Sequence, residues 1–248
     1  VGRISCMVIL RDVVVLGSDD GMTQLYALQL PNPHLETRAA LPGHTAGVLC
    51  CAASSTWSIA VTGSADHSVI VWDLNRCRFV RQLKEPDQPI QLVAIDDQRG
   101  WIAAAAGSEV WVWSINGFVL VHQSTRSATN DPPSSMMFVA RDFHVGKLGV
   151  LVTGHRDCIV LWDIVSNHAR ATPPRWRLEK NTVLSLRQSS KVTCLYMPNT
   201  STLCTGHEDG EVYAWTLPGA ATLPKAPQEQ CIGQCDHRFG FLDVKRAC

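Results

Sequence analysis

A short phrase returns five times along this chain. It reads VLGSDDGMTQLYAL ending at Leu28, VTGSADHSVIVWDL ending at Leu74, AAAAGSEVWVWSI ending at Ile115, VTGHRDCIVLWDI ending at Ile164 and CTGHEDGEVYAWTL ending at Leu217. Recurrence of this kind constrains a fold more tightly than any single element, because every copy must build the same unit and bury its apolar face against a neighbouring copy. The aromatic anchor of each copy is Tyr26, Trp72, Trp113, Trp162 or Trp215, at intervals of 46, 41, 49 and 53 residues. Within a copy, an apolar run meets a break of small residues and Asp, and an alternating run such as Val69, Val71 and Leu74 follows. That is strand, tight turn, strand. Another strand-like run precedes each phrase, at residues 4–10, 48–53, 90–95, 136–140 and 192–197, and a fourth run follows the second and third phrases at 79–83 and 119–122. Four strands per unit predict an all-β propeller, with at least five blades over residues 1–217. No outer strand is evident after Leu217. Since an incomplete ring leaves unpaired strand edges, six or seven blades are expected in a longer parent protein, and the opening at Val1 is read in the same way.

Gly17, Gly63, Gly154 and Gly206 stand at the end of each second strand, with Asp20, Asp66, Asp157 and Asp209 three residues later. Gly suits the backbone angles of a turn, and an Asp carboxylate accepts hydrogen bonds from nearby backbone N–H groups. In the second unit Gly43 and His44 come before the first strand, which places His44, Thr62, Asp66 and Trp72 in one blade. These four residues resemble the buried His, Ser/Thr, Asp, Trp network of WD-repeat proteins, and the resemblance covers residues 1–217. The fourth unit keeps Thr153, Asp157 and Trp162, and the fifth keeps Thr205, Asp209 and Trp215, both without the leading Gly-His. A His–Thr–Asp set at this spacing is read as blade hydrogen bonding in preference to a catalytic base. His155 and His207 are expected as exposed turn residues.

Composition narrows the function class. The 248 residues are 46% apolar, and 22 basic side chains balance 22 acidic ones. That is enough chain to bury a substantial core without disulfides, and the zero formal charge excludes the strongly basic surface of a general nucleic-acid binder. No apolar run approaches the ~20 residues needed to cross a bilayer, and no signal peptide is recognisable, so a cytoplasmic protein is expected. Among the ten cysteines, Cys6, Cys50, Cys51, Cys77, Cys158, Cys194 and Cys204 fall mostly inside apolar runs and are read as core. Between Arg170 and Lys191 six basic residues face one acid, Glu179. That stretch reads as a solvated insertion around the fourth unit's outer strand, with contact to an anionic surface as the alternative. No Gly-rich phosphate loop, nucleophile elbow or paired metal-ligand helix appears, which argues against an enzyme and a small-molecule substrate.

The tail changes character. Residues 218–230 carry Pro218, Pro224 and Pro227 with little apolar periodicity and read as a linker. Residues 231–248 begin with Cys231 and Cys235 and end on Cys248. Three thiols at this spacing, with a fourth ligand expected beyond Cys248, predict the first part of a small tetrahedral zinc module. This tail resembles the opening of a FYVE zinc finger, with Arg238 beside Phe239. Val244-Lys245-Arg246-Ala247 stands where that family carries Arg-Arg/Lys-His-His. The resemblance implies zinc on Cys231, Cys235 and Cys248. It also implies phosphatidylinositol 3-phosphate near Arg238, Lys245 and Arg246.

Upstream, LPGHTAGVLCCAAS, IVWDLN and VWSING are similar to the C-terminal propeller of BEACH-domain proteins. Propeller plus finger together resemble the Alfy-like WD-repeat and FYVE-domain proteins. The resemblance implies a non-enzymatic scaffold of selective autophagy or vesicle traffic, holding protein partners through the propeller and an endosomal or autophagic membrane through the finger. Two alternatives remain: a BEACH-type scaffold whose finger binds zinc but not lipid, and an enzyme with a site in the propeller channel.

Overall fold

The computed structural model describes residues 2–29, 34–139, 147–166, 176–186, 190–198, 201–217 and 228–234, the last as backbone. Every extended element in it belongs to one of five four-stranded antiparallel sheets, and in each sheet the strands lie side by side in chain order. The chain divides into two compact units, Val1–Thr125 and Arg126–Cys248.

The first unit holds three sheets. They are β1 (Ile4–Leu10), β2 (Val13–Ser18), β3 (Thr23–Gln29) and β4 (His34–Leu41); β5 (Val48–Ser54), β6 (Ile59–Ser64), β7 (Val69–Asp73) and β8 (Arg78–Leu83); and β9 (Ile90–Ile95), β10 (Trp101–Ala106), β11 (Glu109–Ser114) and β12 (Val119–Ser124). The second strands, VVVLGS, IAVTGS and WIAAAA, are buried at every residue. A strand covered on both faces has no solvent side, so its sequence runs apolar or small and does not alternate. The outer strand β4, HLETRAAL, is polar and exposed over most of its length. Two cores lie between consecutive sheets. Val13, Val15 and Leu25 of the first sheet pack with Ala60, Ile70 and Trp72 of the second, and Val61, Val69 and Val71 of the second pack with Ile102, Ala104 and Trp113 of the third.

The second unit holds two sheets. They are β13 (Ser135–Val139), β14 (Lys147–Gly154), β15 (Cys158–Ser166) and β16 (Trp176–Ser185); and β17 (Val192–Tyr196), β18 (Thr202–His207), β19 (Glu211–Thr216) and β20 (Gln228–Gln234). Val150, Val152, Ile159 and Leu161 meet Val192, Leu203 and Trp215 in the core between them. All-β architecture and four strands per repeat therefore stand as the sequence implied.

Four expectations differ from what is observed. The fifth sheet does possess an outer strand of its own: β20 pairs with β19, with Cys231 opposite Tyr213. That strand crosses the expected boundary between linker and finger at residues 230 and 231. The expected basic insertion is in part strand as well, since β16 contains Arg177 and Lys180, and Arg177 pairs with Glu179 on the same strand. Arg170, Arg175 and Arg187 lie outside the described residues. The seven cysteines read as core are free and half-buried, and Cys194 is exposed. Finally, the glycines ending each second strand are not in the left-handed region, which instead holds the residue after the turn Asp: Gly21, His67 and Gly210. Close packing accounts for these glycines, because a Cβ on Gly63 would lie 2.7 Å from Cys50 Sγ and one on Gly17 would lie 2.6 Å from Cys6 Sγ. Each is opposite that cysteine in the ladder.

Candidate functional site

The recurring polar residues converge on the buried indoles, and the ladder explains why. In β7 Trp72 is opposite Ala60 of β6, which puts Thr62 two residues further along the same buried strand. Trp72 Nε1–H donates to Thr62 Oγ1 at 2.8 Å, and the Thr62 hydroxyl donates onward to His44 Nε2 at 2.8 Å. His44 Nδ1 faces Asp66 Oδ2 at 3.0 Å. A carboxylate only accepts, so the ring proton sits on Nδ1 and Nε2 is left as the acceptor that Thr62 needs. Asp66 collects further donors: the Thr45 backbone N–H at 2.9 Å and the Ser68 hydroxyl at 2.6 Å. Gln82 of β8 closes the chain by donating to Ser68 Oγ at 2.9 Å. Burial opposes charge on Asp66, but the Ser68 hydroxyl, the Thr45 N–H and the His44 ring outweigh it and bring its carboxyl down to about 2. Burial pushes His44 below the usual imidazole range, so the ring is neutral and donates to an ionised carboxylate. Gly43 is needed because a Cβ there would lie 2.8 Å from the Trp72 ring.

The fourth and fifth sheets build the same chain from a different histidine. Trp162 Nε1–H donates to Thr153 Oγ1 at 2.8 Å, and Thr153 meets His155 Nε2 at 2.9 Å. Trp215 donates to Thr205 at 3.1 Å, and Thr205 meets His207 Nε2 at 2.9 Å. His155 and His207 are 1% and 5% exposed. They are not solvent-facing turn residues as the sequence reading had them. The signal was present in the repeated T-G-H of both phrases, where the histidine follows the threonine by two residues on the same strand and so shares its face. His155 Nδ1–H donates to the Asp131 carbonyl at 2.9 Å, while His207 Nδ1 is 3.4 Å from the Ser190 carbonyl. In these sheets a carbonyl replaces the carboxylate. Asp209 instead accepts the Glu211 N–H at 3.0 Å and stabilises the turn. Burial also lowers His155.

The first and third sheets lack the chain. Tyr26 stands in the anchor position of the first and donates to Gln24 Oε1 at 2.8 Å. In the third, Trp113 is opposite Ile102, so Ala104 occupies the place of Thr62. Trp113 Nε1–H is buried without a hydrogen-bond partner. The Trp111 ring stacks on it, with centroids 5.9 Å apart, and His122 stacks on Trp111 at 3.6 Å.

Of the tail residues, Cys231 lies in β20, while Cys235, Arg238, Lys245, Arg246 and Cys248 lie outside the described residues. Among the described residues no group of three His, Cys, Asp or Glu side chains is arranged to hold a metal ion, and no helix is long and apolar enough to cross a membrane.

The family of WD domain, G-beta repeats matches residues 35–73 and 180–216. Each match begins in one sheet's outer strand and runs through the first three strands of the next, so the sequence repeat is offset from the sheet by one strand. The chain is 28% identical over 90% of its length to BEACH domain-containing protein A2 of Arabidopsis thaliana. It is also 28% identical over 75% of its length to WD repeat- and FYVE domain-containing protein 4 of Homo sapiens. It spans about 7% of the length of these relatives. Among solved structures, that of U3-55K matches 86% of this chain and 61% of its own at a TM-score of 0.67 and 16% identity, a likeness of fold. The sheets are thus the blades of a WD-repeat propeller, similar over most of the chain to the propellers of BEACH-type proteins.

Proposed function

We propose that this chain is a non-enzymatic docking scaffold in membrane traffic or selective autophagy. On this reading its blades hold protein partners, and a zinc-dependent finger beginning in its tail meets phosphatidylinositol 3-phosphate membranes from the cytoplasmic side. The observation that supports docking most is how the polar groups are spent. His44, His155 and His207 each have Nε2 occupied by a threonine hydroxyl that also holds an indole, so none offers a lone pair to a substrate. What the outer strands of the second and third blades offer is apolar: Phe79, Val80, Phe118 and Val119 are between 42% and 70% exposed. The Arg81 guanidinium of β8 donates to the Asn116 carbonyl in the β11–β12 turn, which brings these strands together at one rim. Large apolar groups gathered on a surface are the usual mark of a protein contact. Similarity to BEACH-type relatives supports the setting.

The test compares proteins enriched by the wild-type chain and by the double variant Phe79→Asp/Phe118→Asp, with an equal melting temperature as the control for folding. Partners lost in the variant support docking at this rim. An identical set moves docking elsewhere, and turnover of broad hydrolase substrates overturns the non-enzymatic reading.

The finger is tested separately on the natural full-length protein. Three thiolates suit Zn²⁺, but the backbone of Cys231 is also committed to the β19–β20 ladder. Zinc content that falls with Cys235→Ser and Cys248→Ser, and vesicle pelleting that depends on the 3-phosphate lipid, support the finger. Zinc without pelleting leaves the alternative of a finger used only for protein contact. Neither result reduces the function to the blades.

A further inference from the structure

Three thiols gather on the first strands of the first two blades: Cys6 of β1 and the adjacent Cys50 and Cys51 of β5. They are not equivalent. Cys50 Sγ reaches towards the Ile90 carbonyl of β9 at 3.5 Å, and burial pushes its thiol well up, so it faces the third blade and stays protonated. Cys51, the next residue along an extended strand, faces the opposite way. Its thiol is hydrogen-bonded to that of Cys6.

The frame around this pair is tight. The Ser5 hydroxyl lies between the Gly17 and Val48 carbonyls, tying β1 to β5 beside the two sulfurs. The absence of a side chain at Gly17 leaves room for Cys6 Sγ, since a Cβ there would stand 2.6 Å from it and 2.5 Å from Val48 Cγ1. Both thiols are half-buried and free, so a small reagent has access. The Cys51 S–H donates to the Cys6 sulfur and lowers the Cys6 thiol against the cost of burial, while that same bond and burial raise Cys51. The first proton to leave therefore leaves Cys6, and the thiolate is the nucleophile.

We propose that Cys6 and Cys51 form a reversible thiol–disulfide clamp between the inner strands of the first two blades, closed by exchange with a small disulfide such as oxidised glutathione. The Cys6 thiolate attacks one sulfur of that disulfide, forming a mixed disulfide and releasing one thiolate. Cys51, once deprotonated, attacks Cys6 Sγ, forming the protein disulfide and releasing the second. Two cysteines are oxidised and one small disulfide is reduced, and the two protons leave on the two small thiols. Cys50, aimed at Ile90, takes no part.

The experiment uses the full chain. It is treated with oxidised glutathione, quenched with a thiol alkylator, digested with trypsin without reduction and mapped by mass spectrometry. The clamp appears as peptide 4–11 joined to peptide 39–76, with the loss of two hydrogens, in the wild type and in Cys50→Ser. It is absent in Cys51→Ser, and dithiothreitol reverses it. The oxidised wild type also melts higher than the reduced form, because a crosslink between β1 and β5 restricts the unfolded chain. A link that persists in Cys51→Ser, a vicinal Cys50–Cys51 bridge inside peptide 39–76, only mixed disulfides with glutathione, or an unchanged melting temperature overturns the clamp. Mapping the wild type alone decides the pairing if a serine variant fails to fold.

Discussion

The second and third blades place a tryptophan at the same point and treat its polar atom in opposite ways. Trp72 and Trp113 are 1% and 0% exposed, and each fills the core against a neighbouring blade. Behind Trp72 a chain of Thr62, His44, Asp66, Ser68 and Gln82 satisfies every link. Behind Trp113 there is Ala104 and no acceptor. An unmade hydrogen bond on a buried N–H costs roughly 1–3 kcal/mol, yet the third blade carries that cost and keeps the same ladder and turn. The indole's apolar area therefore holds a blade together, and the polar chain is an addition. What the chain adds is order in the connecting loop: His44 and the Thr45 N–H both fasten the loop before β5 to the turn after β6 through Asp66.

If that division is right, Trp72→Ala and Trp113→Ala cost nearly the same, ~3–5 kcal/mol each, since large core aromatics lose packing and leave a cavity. Denaturant unfolding of the two variants measures this directly, and a much larger loss at Trp72 would make the polar chain the principal support. Thr62→Ala then converts the second blade's arrangement into the third's. It orphans Trp72 Nε1–H and the His44 acceptor at once, and a loss of about 1–3 kcal/mol is expected, with increased amide exchange in residues 43–47. A loss below 0.5 kcal/mol, which is about the scatter of ordinary surface changes, would show that the loop is held by something else.

The same comparison explains what the sequence disclosed. The anchors Trp72, Trp113, Trp162 and Trp215, and the four-strand unit, were legible because burial on both faces forces a recurring pattern on the second and third strands. Outer strands β4, β16 and β20 were not, since an exposed edge strand is free to be polar and carries no period to detect. His44 was recognised from its Gly-His context, whereas His155 and His207 were misplaced on the surface. Their spacing from Thr153 and Thr205 holds the information, but a turn-like G-H pair masks it. The partners that set their protonation, Asp66 in one case and the carbonyls of Asp131 and Ser190 in the others, depend on contacts that only the fold supplies.

Acid should separate the blades next. His44 is held below its ordinary value of 6.5, so between that value and its folded value the unfolded chain binds more protons, and stability falls as pH falls below about 6.5. Asp66 acts with the same sign in a lower window. Its carboxyl sits at about 2 when folded against 3.8 ordinarily, so its contribution is present above 3.8 and is lost as pH drops towards 2. The third blade has neither group, and its His122 is exposed beside Glu109. Unfolding midpoints at pH 7.5, 6.5 and 5.5 should decline less steeply in His44→Gln than in the wild type. Parallel declines would assign the acid sensitivity to His155, which is lowered by burial in the same way.

The smallest effect lies in the turns. The third blade makes its tight turn with Gly107 at a φ of 57°, while the second blade puts His67 at 67°. A side chain in this region crowds the backbone by roughly 1–2 kcal/mol, a cost that glycine avoids while losing more conformational entropy on folding. His67→Gly should therefore raise stability by under about 1 kcal/mol. Gly107→Ala should lower it by more, because its Cβ would also stand 2.2 Å from Gln88 Oε1. His67 is exposed, with its backbone N–H bonded to the Ser64 carbonyl, so neither packing nor that bond is lost in the exchange. A destabilised His67→Gly would mean that the Asp66 carboxylate, one residue away, depends on the stiffness of this turn, and the polar chain would then extend to the turn backbone.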